Sequence, residues 1–303
     1  MAGLIVALLL LPIAVGLLIT GVLRLVDTVR SQGTARAVQA RSLAASAATG
    51  VAGLAATLAW LGLGGGLSDD VRLATLPALA CSVAVLTAAV AELTWPRPSG
   101  SVRTASLGAR RATRPALLPR LVLVGLGATA AALVVGACTA SPDGRSFGRS
   151  APGISAFGWP YPGARYAVPV GVAIALLALA TWFAWSRVDA RPALGPGHER
   201  LDAAVRGTSM VRVLRPAAVG SLSTAAALWL TIGATVNQVT QNLRMNGAST
   251  PQPPFDLVQD LGFAAVAVAV VLLLLALGAL LTVSPRLPRE EPVPAAGSAG
   301  VPA

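Results

Sequence analysis

The chain has no lysine at all, one histidine (His198) and two cysteines (Cys81 and Cys138). Without lysine there is no Schiff-base amine and no P-loop lysine to hold phosphates. A zinc site takes three or four nitrogen or sulfur ligands held close together. The three residues that could serve are scattered, so neither a metal nor a cofactor is expected. Two cysteines make at most one bridge, which excludes a disulfide framework. Charge is also scarce: 12% of the 303 residues are charged and 55% are hydrophobic. Soluble domains carry about a quarter charged residues, so this composition argues against a soluble enzyme and against a disordered chain. Missing lysine beside abundant Ala, Gly, Pro and Arg points to a GC-rich bacterial coding sequence.

What the chain does have is long apolar runs. A helix needs roughly 20 apolar residues to cross a hydrocarbon layer about 30 Å thick. Seven charge-free runs reach that scale, and they predict helices over 3–23, 42–64, 72–93, 119–139, 166–186, 215–237 and 261–283. None shows the strict alternation of a barrel strand. The expected fold is all-α: a single polytopic bundle of seven transmembrane helices over 1–285, followed by a disordered cytoplasmic tail over 286–303. The Pro- and Gly-broken stretch 143–164 is read as a loop. A short helix is expected near 198–205.

Arginine placement sets the orientation. With the N-terminus outside, the inner connections hold 18 arginines and 7 acidic residues, and the outer ones hold 5 of each. The whole surplus of +11 then lies on one side, so the predicted topology is N-terminus out and C-terminus in. The first run lacks a positive stretch before it and exceeds the length of a signal-peptide core, so it reads as a retained anchor. The expected location is a bacterial cytoplasmic membrane. The inner arginines, densest at Arg110, Arg111 and Arg114, are expected to meet anionic lipid headgroups rather than nucleic acid.

Ionisable residues at the bilayer centre are costly and usually functional, and the predicted helices hold essentially none there. Arg72, Glu92 and Arg120 fall at helix ends, where long side chains can reach headgroups. The sixth predicted helix carries a mild polar face: Ser221, Thr224, Thr231 and Thr235 recur at helical spacing. This face either lines a path or packs against neighbouring helices through small hydroxyl side chains. Asp69 and Asp70 precede the third predicted helix, and one or the other is read as its N-cap. An acidic residue in the first outer loop is also what membrane glycosyltransferases acting on lipid-linked sugars use, and the resemblance extends no further than that. His198 is read as a solvated loop residue.

The stretch 140–165 concentrates the aromatics. Phe157, Trp159, Tyr161 and Arg165 form a candidate outer contact surface, because rigid aromatics beside arginine favour recognition. The alternative is an aromatic belt at headgroup depth. No catalytic set is predicted. The leading expectation is a non-catalytic subunit or accessory partner of a membrane complex, binding through helix faces and the aromatic loop. The alternatives are a small-solute permease or channel and, third, an enzyme on a lipid-linked substrate. With this topology, a membrane-impermeant maleimide added to intact cells labels Cys138. Labelling only in inside-out vesicles contradicts it.

Overall fold

The computed structural model describes residues 34–62, 68–94, 116–151, 153–191, 199–245 and 253–283. The first predicted helix (3–23), Arg110, Arg111, Arg114, His198 and the tail 286–303 lie outside them. Helix accounts for 85% of the described residues, in six segments each long and apolar enough to cross a membrane. They are α1 (Thr34–Gly62), α2 (Asp69–Leu93), α3 (Leu117–Thr139), α4 (Ala164–Asp189), α5 (Glu199–Met245) and α6 (Pro253–Leu280).

Two expectations are corrected. The stretch read as a loop contains an antiparallel hairpin of β1 (Phe147–Ala151) and β2 (Ile154–Gly158), so the fold is helical with one small sheet. Gly153 provides the turn, with φ at +79°, a conformation that costs glycine no steric penalty. The sixth predicted helix and the short helix expected beside it are one element, the 47-residue α5. Reading charge-free windows stops a helix at its first charge. Here Asp202, Arg206 and Arg212 find partners within the protein, and the helix runs through them.

α5 is the axis of the molecule. It touches every other described element, and 61% of its apolar window is buried inside the protein, against 28% for α1, α4 and α6. Those outer helices turn Leu, Val and Phe side chains outward, as a lipid-facing surface requires. Between the axis and its neighbours the packing is tight enough to need glycine. A β-carbon on Gly220 would lie 2.6 Å from the Cys81 β-carbon of α2, and one on Gly233 would lie 2.6 Å from the Gly262 carbonyl of α6. Gly125 of α3 sits against Ser221 and the Leu222 amide. Small residues at crossings let helix backbones meet where no water-driven force holds them.

Helix ends leave carbonyls without partners, and at four of the six helices an arginine reaches across to supply donors. Arg72 donates to Trp60 O (2.6 Å) at the end of α1, while the Trp60 indole donates back to Arg72 O (3.0 Å). Arg41 donates to Thr94 O beyond α2. Arg206 reaches Arg191 O (2.7 Å), with longer bonds to Val188 and Asp189, beyond α4. Arg215 donates to Thr282 O beyond α6. Arg41, Arg206 and Arg215 mark one end of the bundle; Arg72 marks the other.

The same contacts give the bundle a ruler. At 1.5 Å per residue, Arg215 and Thr235 of α5 are about 30 Å apart, as are Glu92 and Arg72 of α2. That is the thickness of a hydrocarbon layer.

Gly233→Leu is expected to push α6 off α5 and to lower stability by about 1–3 kcal/mol, the usual cost of overpacking. Gly127→Leu is the control, since nothing lies within 4 Å of a β-carbon there. Thermal unfolding in mild detergent reads the difference; equal midpoints for the two variants would contradict the close crossing.

Candidate functional site

The hairpin end holds the aromatic candidates, and the structure divides them. Tyr161 is buried. Its amide donates to Arg145 O (2.8 Å), its hydroxyl shares a hydrogen bond with Thr139 Oγ1 (2.6 Å), and its ring lies 5.3 Å from that of Phe147. Burial pushes its phenol above the ordinary tyrosine value, against a smaller opposing effect of the Thr139 bond. It fastens the segment to α3. Phe157 and Trp159 remain outward, 65% and 72% exposed, and Arg165 is exposed in the first turn of α4. Trp159 precedes a cis proline.

The stretch leading into β1 is held by Asp143. Its carboxylate accepts from the Arg145 and Ser146 amides (3.2 and 3.1 Å) and from the Ser146 hydroxyl (2.9 Å). The bond from the Arg145 amide is the main reason that its pKa lies below the usual carboxylate value. Two further contacts tie this segment to the bundle. The Pro162 carbonyl presses on Gly136 of α3, and the Pro160 carbonyl accepts from Thr235 Oγ1 (2.6 Å).

Asp69 and Asp70 are not the N-cap. That position is Ser68, and the two carboxylates occupy the first turn of α2, where they complement the helix dipole. Asp70 also accepts the Tyr166 hydroxyl of α4. One acid of the pair is thus engaged in joining α2 to α4. Asp69 is exposed beside Arg72 at 3.4 Å.

The polar face of α5 is distributed along its length. Ser221 and Thr224 are fully buried, Thr235 is buried and Thr231 half-buried. Ser221 donates to Ala218 O (3.2 Å) and Thr231 to Ala227 O (2.7 Å), both within the helix. Thr235 points to Pro160. Thr224 Oγ1 and, one face round, Asn237 Oδ1 are buried without a hydrogen-bond partner.

The strongest electrostatic feature lies outside the candidate site residues that the sequence singles out. At the end opposite the hairpin, five buried or nearly buried side chains alternate in sign: Arg212, Glu92, Arg191, Asp202 and Arg206. Glu92 lies 3.5 Å from both Arg212 and Arg191. Asp202 lies 3.1 Å from Arg191 and 2.7 Å from Arg206. Arg212 also donates to Ser42 Oγ (2.8 Å), Ser42 O (3.0 Å) and Ser46 Oγ (3.2 Å) of α1. Glu92 was expected to reach headgroups, as was Arg72, which instead caps α1. Both are corrected: a carboxylate between two guanidiniums is better satisfied inside the bundle than at its rim. The signal in the sequence was weak. It amounts to an acid at one helix end and arginines on a segment 100 residues later, with nothing to say that they meet.

Among the described residues no group of His, Cys, Asp and Glu is arranged to hold a metal ion. No protein-family model, no curated protein and no solved structure matches the chain.

Glu92→Gln leaves three guanidiniums facing one carboxylate. Removing one partner of a buried pair costs about 3–5 kcal/mol, so the variant is expected to unfold markedly earlier in detergent. Glu92→Gln combined with Arg212→Met should recover part of that loss. If Glu92→Gln melts like the wild type, the chain of charges contributes no stability.

Proposed function

We propose that this chain is a non-catalytic subunit or accessory partner of a membrane complex. It has seven spans, its N-terminus outside and its C-terminus inside, in a bacterial cytoplasmic membrane. The observation that carries the reading is the packing around α5. The backbones of α3 and α6 meet it directly at Gly125 and Gly233, and the Cys81 side chain of α2 packs onto Gly220. A solute path along α5 would need the space that these crossings fill. The surface left for function is therefore the outside of the bundle. The outward stripe of α1, with Val51, Leu54, Leu58 and Leu61, has the three-and-four spacing by which one membrane helix meets another.

A small-solute permease is the second reading, supported by Thr224 Oγ1 and Asn237 Oδ1. Buried polar atoms without partners are costly, and a passing polar solute would satisfy them.

The test is affinity purification from native membranes in mild detergent, with stoichiometry by mass spectrometry. A reproducible, near-equimolar partner is the expected result, and Leu54→Trp with Leu58→Trp should weaken its recovery. A homogeneous preparation without a partner, together with solute flux in liposomes, would replace this reading with the permease.

A further inference from the structure

Phe157 and Trp159 are the large aromatics that the hairpin sends away from the bundle. Strand pairing explains the direction. Successive side chains of a strand point to opposite faces, and along β2 Ala156 and Gly158 are buried while Ser155 and Phe157 are exposed. A β-carbon on Gly158 would meet Val239 and Thr235 of α5 at 2.7 and 2.8 Å, so that face lies on the axis. On the other face the Phe157 ring covers Gly148, its partner across the sheet. The rest of this outer face is Ser150 and Ser155.

The height of these side chains follows from the contacts beside them. Gly158 and Pro160 both touch Thr235, so Trp159, between them, is held level with Thr235. On α6 the same level is Gly262, which lies against both Gly233 and Asn237. Leu261 and Phe263, on either side of Gly262, face outward, and the apolar stretch of α6 begins at Leu257. Trp159 is thus beside the last turns of the apolar band. The band's other limit, Arg215, is about 30 Å away by helix rise. Asp260 and Arg165, both exposed, lie at the polar edge.

We propose that the hairpin is a membrane-interface anchor. Phe157 and Trp159 seat in the headgroup–acyl boundary of the nearer phospholipid leaflet, with the Trp159 indole N–H donating to lipid ester or phosphate oxygens. The Trp159 indole, with an apolar ring and a polar N–H, suits that depth, and the wholly apolar Phe157 ring beside it adds buried area on the acyl side. The clamps at Tyr161, Thr235 and Gly136 hold the pair there, so the hairpin fixes how deep this end of the bundle rides in the bilayer.

The test uses the full chain reconstituted in phosphatidylcholine vesicles. The emission difference between wild type and Trp159→Phe isolates Trp159 from the other tryptophans. It is expected to be blue-shifted and to lose intensity with lipids brominated high on the acyl chain, while aqueous iodide has little effect. A second reporter, Phe157→Trp in the Trp159→Phe background, should behave the same way. Iodide quenching without bromine quenching overturns the proposal, as does quenching strongest from bromines at the chain ends. Loss of a co-purifying protein in Trp159→Ala, with no bromine effect in the difference spectrum, would assign the surface to a protein partner instead.

Discussion

A helix end inside or near a bilayer must find donors for its last carbonyls, because lipid supplies none. This requirement organises the molecule. Arg72, Arg41, Arg206 and Arg215 each leave their own helix or turn to bond the carbonyls that end a neighbour. A guanidinium suits the task, since its several N–H groups reach more than one carbonyl and its charge complements the negative end of the helix dipole. Each cap also joins two helices at a defined height. The helices are therefore registered at their ends, and their apolar middles need only fit.

α5 is where those registrations meet. Its length lets one end join the charge chain through Asp202, Arg206 and Arg212 while the other holds the hairpin through Thr235. Between them the glycine crossings bring α3 and α6 to backbone contact and seat the Cys81 side chain of α2 on Gly220. The buried charges and the glycines do different work. Close packing contributes attraction without selecting one arrangement strongly, because many small-residue faces fit one another. Alternating charges tolerate few pairings, since any misplacement leaves a guanidinium or carboxylate buried alone.

Six of the seven predicted segments can be compared with helices, and they fall on α1 to α6. Where a segment is bounded by loop chemistry the agreement is close, as for 119–139 against Leu117–Thr139. A stretch of twenty apolar residues has few other places to go, which is why such helices are legible. The failures share a cause. α5 begins well before its apolar window because its early charges are paired across the fold, and pairing between distant positions leaves no local pattern. The hairpin is not legible in the sequence because Gly148, Gly153 and Gly158, which signal a loop, here serve aromatic stacking, a turn and contact with α5. Among the candidate site residues, Phe157, Trp159 and Arg165 are exposed as a contact surface needs. Tyr161 is structural, a distinction that depends on Thr139 and Phe147 and not on its own sequence context.

The arginine count that predicts orientation also has a structural reading. Arg41, Arg191, Arg206, Arg212 and Arg215 all belong to the connections assigned to the inner side, yet in the folded protein they bond carbonyls and carboxylates. The charge bias acts during insertion, when arginines resist translocation and no tertiary partner yet exists. The caps and the charge chain can form only after the helices are in place. Under the orientation proposed above, a single set of residues would serve two stages in sequence: it would first resist transfer across the membrane, and then close the end of the bundle at which it stays. That ordering would account for the concentration of Arg41, Arg191 and Arg212, all buried, at one end of the described bundle.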